Sequence, residues 1–178
     1  MIALLPALFL LTGCKMVEYT DEEAGEEFAA SVPVGHGEGT QQRPFTPDEM
    51  MAGGDLPYGE EVWVMGYAVG STIQNMENAT FEVPTTNAHN ILISSDSLCT
   101  DAERCIPVEF SGSNMQLRFS LAHQPGSLHR FIVIRGTLGL YFGKKGIRQS
   151  DAAYWIDGFD LSRIAPPRQD WDIVVKEF

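Results

Sequence analysis

Val62-Trp63-Val64-Met65-Gly66-Tyr67-Ala68-Val69-Gly70 decides how this chain is read. The run is rich in β-branched and aromatic residues, which suit a pleated strand. Side chains alternate across a strand, so Trp63, Met65, Tyr67 and Val69 share one face. Val62, Val64, Gly66 and Ala68 share the other. Both faces are apolar, so each must be covered. The smaller set suits the interior of a narrow barrel. Gly66 within the strand predicts a bend or bulge there, as closing a barrel requires.

Working outward, further β runs follow. Asn90-Ile91-Leu92-Ile93-Ser94-Ser95 reads as a second strand and Cys105-Ile106-Pro107-Val108-Glu109-Phe110 as a third. Pro107 lacks an N–H, which predicts an edge position for that strand. Residues 113–129 break the alternation and fit strand or helix. Arg130 to Tyr141 is the longest β run, and Ala152 to Phe159 closes the set. A hairpin tip is expected at Gly143-Lys144-Lys145-Gly146, where glycines permit positive φ and lysines discourage edge pairing. Before the first strand, Thr46-Pro47-Asp48-Glu49 is a helix start. Thr46 can cap, Pro47 suits the first helical position, and the acids favour the positive end of the helix dipole.

About five curved strands with an insert between the third and fourth is the pattern of the OB barrel. The expected fold is all-β: a small five-stranded OB-like Greek-key barrel with a short N-terminal helix, over residues 44–160. Residues 161–178 form a tail, in which Trp171, Ile173, Val174 and Val175 could dock on the body.

The N-terminus reads differently. Residues 2–11 are apolar but too few to span a bilayer, which takes about 20 residues. Leu11-Thr12-Gly13-Cys14 follows, and resembles the lipobox of bacterial lipoproteins. That resemblance implies a signal peptide over residues 1–13 and lipid attachment at Cys14, the mature N-terminus. The basic segment that ordinarily precedes the apolar run is missing. Lys15, in place of an acid, favours the outer membrane, on either its periplasmic or its outer face. Residues 14–43 then read as the lipidated cysteine and an acidic tether, with seven acids and two bases between 15 and 43. Little apolar periodicity there offsets the entropy of ordering, so disorder is expected.

Two further cysteines remain, Cys99 and Cys105. An even remainder fits an oxidising compartment and a disulfide closing a short loop. Free thiols and a metal site are the rivals. A zinc site would need ligands that the spacing of the four histidines does not offer.

Five segments in series carry a wider resemblance. They are Pro44-Phe45-Thr46, the Val62–Gly70 run, Asn90-Ile91-Leu92-Ile93, Cys105-Ile106-Pro107-Val108, and Tyr141-Phe142-Gly143 before Gly146-Ile147. Their order and spacing resemble an OB-like domain family of bacterial surface lipoproteins, without an established activity. The resemblance implies a fold and a location. Met65 departs from it, since a polar or basic residue is expected there.

Candidate binding residues follow from the barrel reading. OB barrels bind oligonucleotides and oligosaccharides across strands two and three and the neighbouring loops. Trp63 and Tyr67 could stack on a sugar ring, or could lie under the helix of residues 47–52. Tyr141, Phe142, Lys144, Lys145 and Arg148 join aromatic and basic groups as single-stranded nucleic acid would require. A solvated hairpin is the plainer reading of that cluster. The formal net charge of −12 argues against nucleic acid, although the flanks carry most of it. The sequence has no G-x-S-x-G, H-E-x-x-H or P-loop. The chain therefore reads as a non-enzymatic module needing no cofactor or metal. Its expected partners are a membrane, through the lipid, and a glycan, a peptide or an envelope protein. The alternative is a single-stranded nucleic-acid binder.

Overall fold

The computed structural model describes residues 29–164. The expected lipobox and signal peptide, with Cys14, and the expected docking residues Trp171, Ile173, Val174 and Val175 lie outside the described residues.

Helix α1 spans Pro47–Ala52. Thr46 caps it by accepting from the Glu49 backbone N–H at 3.3 Å, while the Glu49 carboxylate accepts from the Thr46 N–H at 2.8 Å. This reciprocal box is the start that Thr-Pro-Asp-Glu predicts. The strands follow as β1 (Glu61–Thr72), the two-residue β2 (Ala79–Thr80), β3 (Asn90–Ser94) and β4 (Ile106–Phe110). Helix α2 (Gly112–Phe119) precedes β5 (Phe131–Tyr141) and β6 (Lys144–Ile156).

The five long strands close in the order β1-β3-β4-β6-β5, with β5 returning to β1, and β2 lies against β1 outside the ring. All neighbours are antiparallel except β4 and β6. One parallel pair between the third and fifth barrel strands, with a helix between the third and fourth, is the OB connectivity. The expected fold class is therefore present. β1 is long enough to serve two partners. Its first half pairs with β5, and Tyr67–Gly70 pairs with β3.

Alternation in β1 sorts as its side chains suggest. Val62, Val64 and Ala68 join Ile91, Ile93, Ile106, Val108, Ile132, Ile134 and Ile147 inside the barrel. Met50 of α1 closes this core, and Met115 and Phe119 of α2 add to it. Burying each such side chain contributes about 1.5–3 kcal/mol, which is why apolar residues face inward on every strand.

Four expectations are corrected. The break in β1 pairing falls between Ala68 and Gly70, not at Gly66. Gly66 instead gives room: a Cβ there would lie 2.9 Å from the Ser94 carbonyl and 3.2 Å from Pro47. Pro107 is not on an edge, because β4 is paired on both sides. Its ladder with β6 begins at Val108, so no N–H is required of Pro107, and its ring lies against Gly146. The hairpin tip is Phe142-Gly143, with φ of 52° and 77°, and Lys144 already pairs with Tyr141. Two positive φ values in a two-residue loop match the twist of the flanking strands.

The fourth correction concerns residues 29–43, which are folded onto the barrel. Val34 donates to the Gln42 carbonyl at 3.0 Å, Gly39 accepts from the Trp63 N–H at 2.8 Å, and Ser31 accepts from the Tyr154 hydroxyl at 2.9 Å. These bonds engage mostly backbone groups, which any side-chain sequence can supply.

Candidate ligand face of the barrel

The two groups of sequence candidates lie in separate places. Trp63 and Tyr67 stand on the outer face of β1, as the alternation predicts. They belong to a second apolar layer with Met65, Phe131, Val133 and Tyr154. Trp63 is only 8% exposed, and its ring centroid lies 5.9 Å from that of Tyr154. Met65 is fully buried in this layer, so an apolar residue there suits its surroundings. The cover is not α1. Phe159, Leu161 and Ile164 form it, and the Tyr67 hydroxyl donates to the Phe159 carbonyl at 3.3 Å. Among the described residues, Trp63 is therefore closed off within this layer, and Tyr67 is half-buried with its hydroxyl engaged.

The second group lies on the outer face of β3, β4 and β6. Tyr141 ends β5 and Phe142 opens the turn, with ring centroids 4.1 Å apart and planes 31° from parallel. Phe142 packs on a third apolar cluster formed by Val69, Met76, Leu92, Cys99 and Cys105. Arg148 of β6 donates from Nε to the Glu109 carboxylate of β4 at 3.2 Å, and the Gln149 N–H donates to the same oxygen at 3.2 Å. Burial raises the Tyr141 phenol above its ordinary range. A hydrogen bond with Asn90 lowers it, Glu109 raises it, and Arg148 lowers it. Tyr141, Asn90, Glu109 and Arg148 thus interact as one group.

Asn90 also fixes one wall. Its Oδ1 accepts from the Thr72 N–H at 3.0 Å and from Asn87 Nδ2 at 2.9 Å. Its Nδ2 donates to the Thr72 carbonyl at 3.0 Å. The loop between β1 and β3 is held by these bonds. Across the face, Gln116 of α2 hydrogen-bonds His89 at 3.1 Å.

Lys144 and Lys145 do not join this group. Adjacent residues on a strand point to opposite faces. Lys144 donates to the carbonyls of Ala102 and Glu103 at 2.9 and 3.0 Å. Lys145 donates to the Met50 carbonyl at 3.0 Å, at the end of α1. The Lys145 ammonium thus satisfies a carbonyl in the last turn of α1, a placement the helix dipole favours.

Cys99 and Cys105 are free thiols with sulfurs 3.8 Å apart, so the expected bridge is not formed in this structure. Burial pushes the Cys105 thiol far up, and the neighbouring Cys99 adds to this. Among the described residues, no group of three or more His, Cys, Asp or Glu is arranged to hold a metal. A separate cavity of about 510 Å³ opens between Val32–Val34 and Ile156–Asp160, away from the Tyr141 face.

Sequence reasoning missed Asn90, Glu109, His89 and Gln116. Glu109, a charge between inward Val108 and Phe110, carries a readable outward signal. Asn90 carries none, because its role depends on Thr72 and Asn87 across the fold.

Residues 50–157 match a family described as a domain of unknown function, DUF6359. The chain belongs to that family. The match runs from α1 to the end of the β6 region, so the DUF6359 portion contains the closed barrel and the whole Tyr141 face. Residues 29–43 and the cover at 159–164 lie outside it. A comparison with curated proteins finds no match.

Proposed function

We propose that this protein is a non-enzymatic binding module, an OB-like barrel that takes a saccharide ligand on the outer face of β3, β4 and β6. The carrying observation is the Tyr141–Phe142 pair at the last hairpin beside the Arg148–Glu109 pair of strands five and three, with Asn90 of strand two next to Tyr141. OB barrels use this region for oligonucleotides and oligosaccharides. Aromatic faces suit the C–H side of a sugar ring, and Tyr141, Glu109 and Arg148 supply donors and acceptors for hydroxyls. A saccharide suits the face better than a phosphate backbone does, since Lys144 and Lys145 are already bonded to carbonyls and Arg148 to a carboxylate.

The reading includes display from a bacterial outer membrane by lipid on Cys14. Its support is the Leu11-Thr12-Gly13-Cys14 motif after an apolar run. Binding of the full chain to arrays of glycans and single-stranded oligonucleotides, at low and moderate salt, tests the ligand class. Glycan binding lost in Tyr141→Ala and kept in Lys144→Met supports the proposal. Oligonucleotide binding that falls steeply with salt would replace it with the nucleic-acid reading.

A further inference from the structure

The thiol pair lies beneath the hairpin that carries the proposed ligand face. Cys99 is 3% exposed and Cys105 is fully buried, and both sulfurs approach the Asp101 carbonyl, at 3.5 and 3.3 Å. The residues between them include the turn Ala102–Arg104. That turn supplies the carbonyls gripped by Lys144, and the Glu103 carboxylate takes a third contact from the same ammonium at 3.2 Å. Phe142, at the hairpin tip, packs on the cluster containing both sulfurs. Hairpin and thiol loop are therefore joined through Lys144 on one side and Phe142 on the other.

We propose that Cys99 and Cys105 form an oxidisable pair, closed by thiol–disulfide exchange with an external disulfide, and that closure stiffens the Tyr141–Lys144 hairpin. The sulfurs are in van der Waals contact but well beyond the roughly 2.05 Å of a bond, so the structure corresponds to the reduced form. Cys99 reacts first, because it adjoins the exposed Leu98 while Cys105 directly precedes buried β4. Burial also keeps Cys105 protonated until the loop opens.

The exchange balances in two steps. Cys99 loses its proton to solvent, and its sulfur attacks one sulfur of the external disulfide. That S–S bond breaks, and one half leaves with the bonding pair and takes up a proton. Cys105 then loses its proton and attacks the Cys99 sulfur of the mixed disulfide, releasing the second half as a thiol in the same way. The protein gives up two electrons and two protons, and the external disulfide becomes two thiols.

Fold and closure are linked. Whatever factor the disulfide adds to folding, the fold adds to disulfide formation. Loop-closure entropy for so short a loop gives roughly fifty-fold, with strain reducing it. Oxidation of the pair does not depend on the saccharide reading. Its consequence for ligand binding does rest on that reading.

The test uses the full chain, equilibrated with mixtures of reduced and oxidised glutathione from both reduced and oxidised starting samples. The reference is the peptide Cys-Thr-Asp-Ala-Glu-Arg-Cys, residues 99–105. Trypsin cuts after Arg104 and places all three cysteines of the chain in different peptides, so the bridged pair is read directly by mass. The folded pair is expected to close at a glutathione ratio at least about tenfold more reducing than the peptide requires. Amide exchange at residues 139–146 is expected to slow on closure, and to slow less in Lys144→Met, where only the Phe142 contact remains. A folded pair no more oxidisable than the peptide would overturn the site. Hairpin exchange unchanged on closure, or slowed equally in Lys144→Met, would overturn the coupling. Ligand titration of both redox forms is a separate readout, so failure of the saccharide reading leaves these results interpretable.

Discussion

Asn90→Ala tests whether one buried amide holds the loop beside the ligand face. Asn90 is 2% exposed and, besides its bond with Tyr141, makes three hydrogen bonds, to the Thr72 N–H, the Thr72 carbonyl and Asn87 Nδ2. Removing it does not orphan all three. Asn87 Nδ2 still reaches the Thr72 carbonyl at 2.7 Å, so those two groups keep each other. The Thr72 N–H loses its side-chain acceptor. An orphaned buried donor costs about 1–3 kcal/mol. The small space left by the amide adds about 1 kcal/mol. The total is about 2–4 kcal/mol, which at this chain length lowers Tm by roughly 5–15 °C. Urea and thermal unfolding measure it. A loss below about 1 kcal/mol would rule out this role for Asn90, because solvent would then be replacing the amide. Asn90→Asp sharpens the test. An ionised carboxylate still accepts from Thr72 and Asn87 but faces the Thr72 carbonyl without a proton to donate. Protonation restores that donor, so the acid's folded pKa rises above its unfolded value of about 3.9. The stability this contributes is fully present below the unfolded value and is lost as pH rises through the folded one. Asn90→Asp should therefore approach the parent in acid and fall away from it above about pH 4. A constant difference would count against the geometry.

Other predictions follow from the same contacts. Trp63→Ala should cost about 3–5 kcal/mol, since it empties the layer beneath residues 159–164, and any ligand affinity should survive in the folded fraction. Tyr141→Ala should cost less stability, since Tyr141 is only partly buried, yet should abolish glycan binding, as equilibrium titration would report. The reduced protein should lose stability as pH rises past about 8.5, where the unfolded chain gives up a thiol proton that folded Cys105 retains. Cys105→Ser should flatten that dependence in urea titrations repeated across pH. If lipid is carried on Cys14, intact mass of the membrane fraction should show an acylated chain beginning at residue 14, and Cys14→Ser should release the protein from membranes.

Much of the barrel is legible because burial imposes period two on side chains. The inward set Val62, Val64 and Ala68 is readable from β1 alone, and Thr46-Pro47-Asp48-Glu49 marks α1 through local chemistry. What depends on distant partners is not legible. The cover over Trp63 comes from residues nearly 100 positions later in the chain. The turn at Phe142-Gly143 places a phenylalanine at positive φ, which residue preference disfavours and strand register enforces. Pro107 suggests an edge, but an interior strand tolerates it where the parallel ladder has not yet begun. The candidate site was half visible. Tyr141, Phe142 and Arg148 stand out by type, whereas Asn90 and Glu109 gain meaning only when β3 and β4 lie side by side. The lysines misled because their charge is readable and their carbonyl partners are not.

The outer face of β3, β4 and β6, with the hairpin beside it, is the proposed saccharide site. The most direct measurement is a backbone NMR titration of the isotopically labelled full chain with the best glycan from the array. Saturable shifts are expected at Asn90, Glu109, Tyr141, Phe142 and Arg148, with residues around Trp63 unmoved. Shifts confined to the Trp63 layer or to the cavity beside Val32 and Phe159, or no saturable shift with any array glycan, would contradict it.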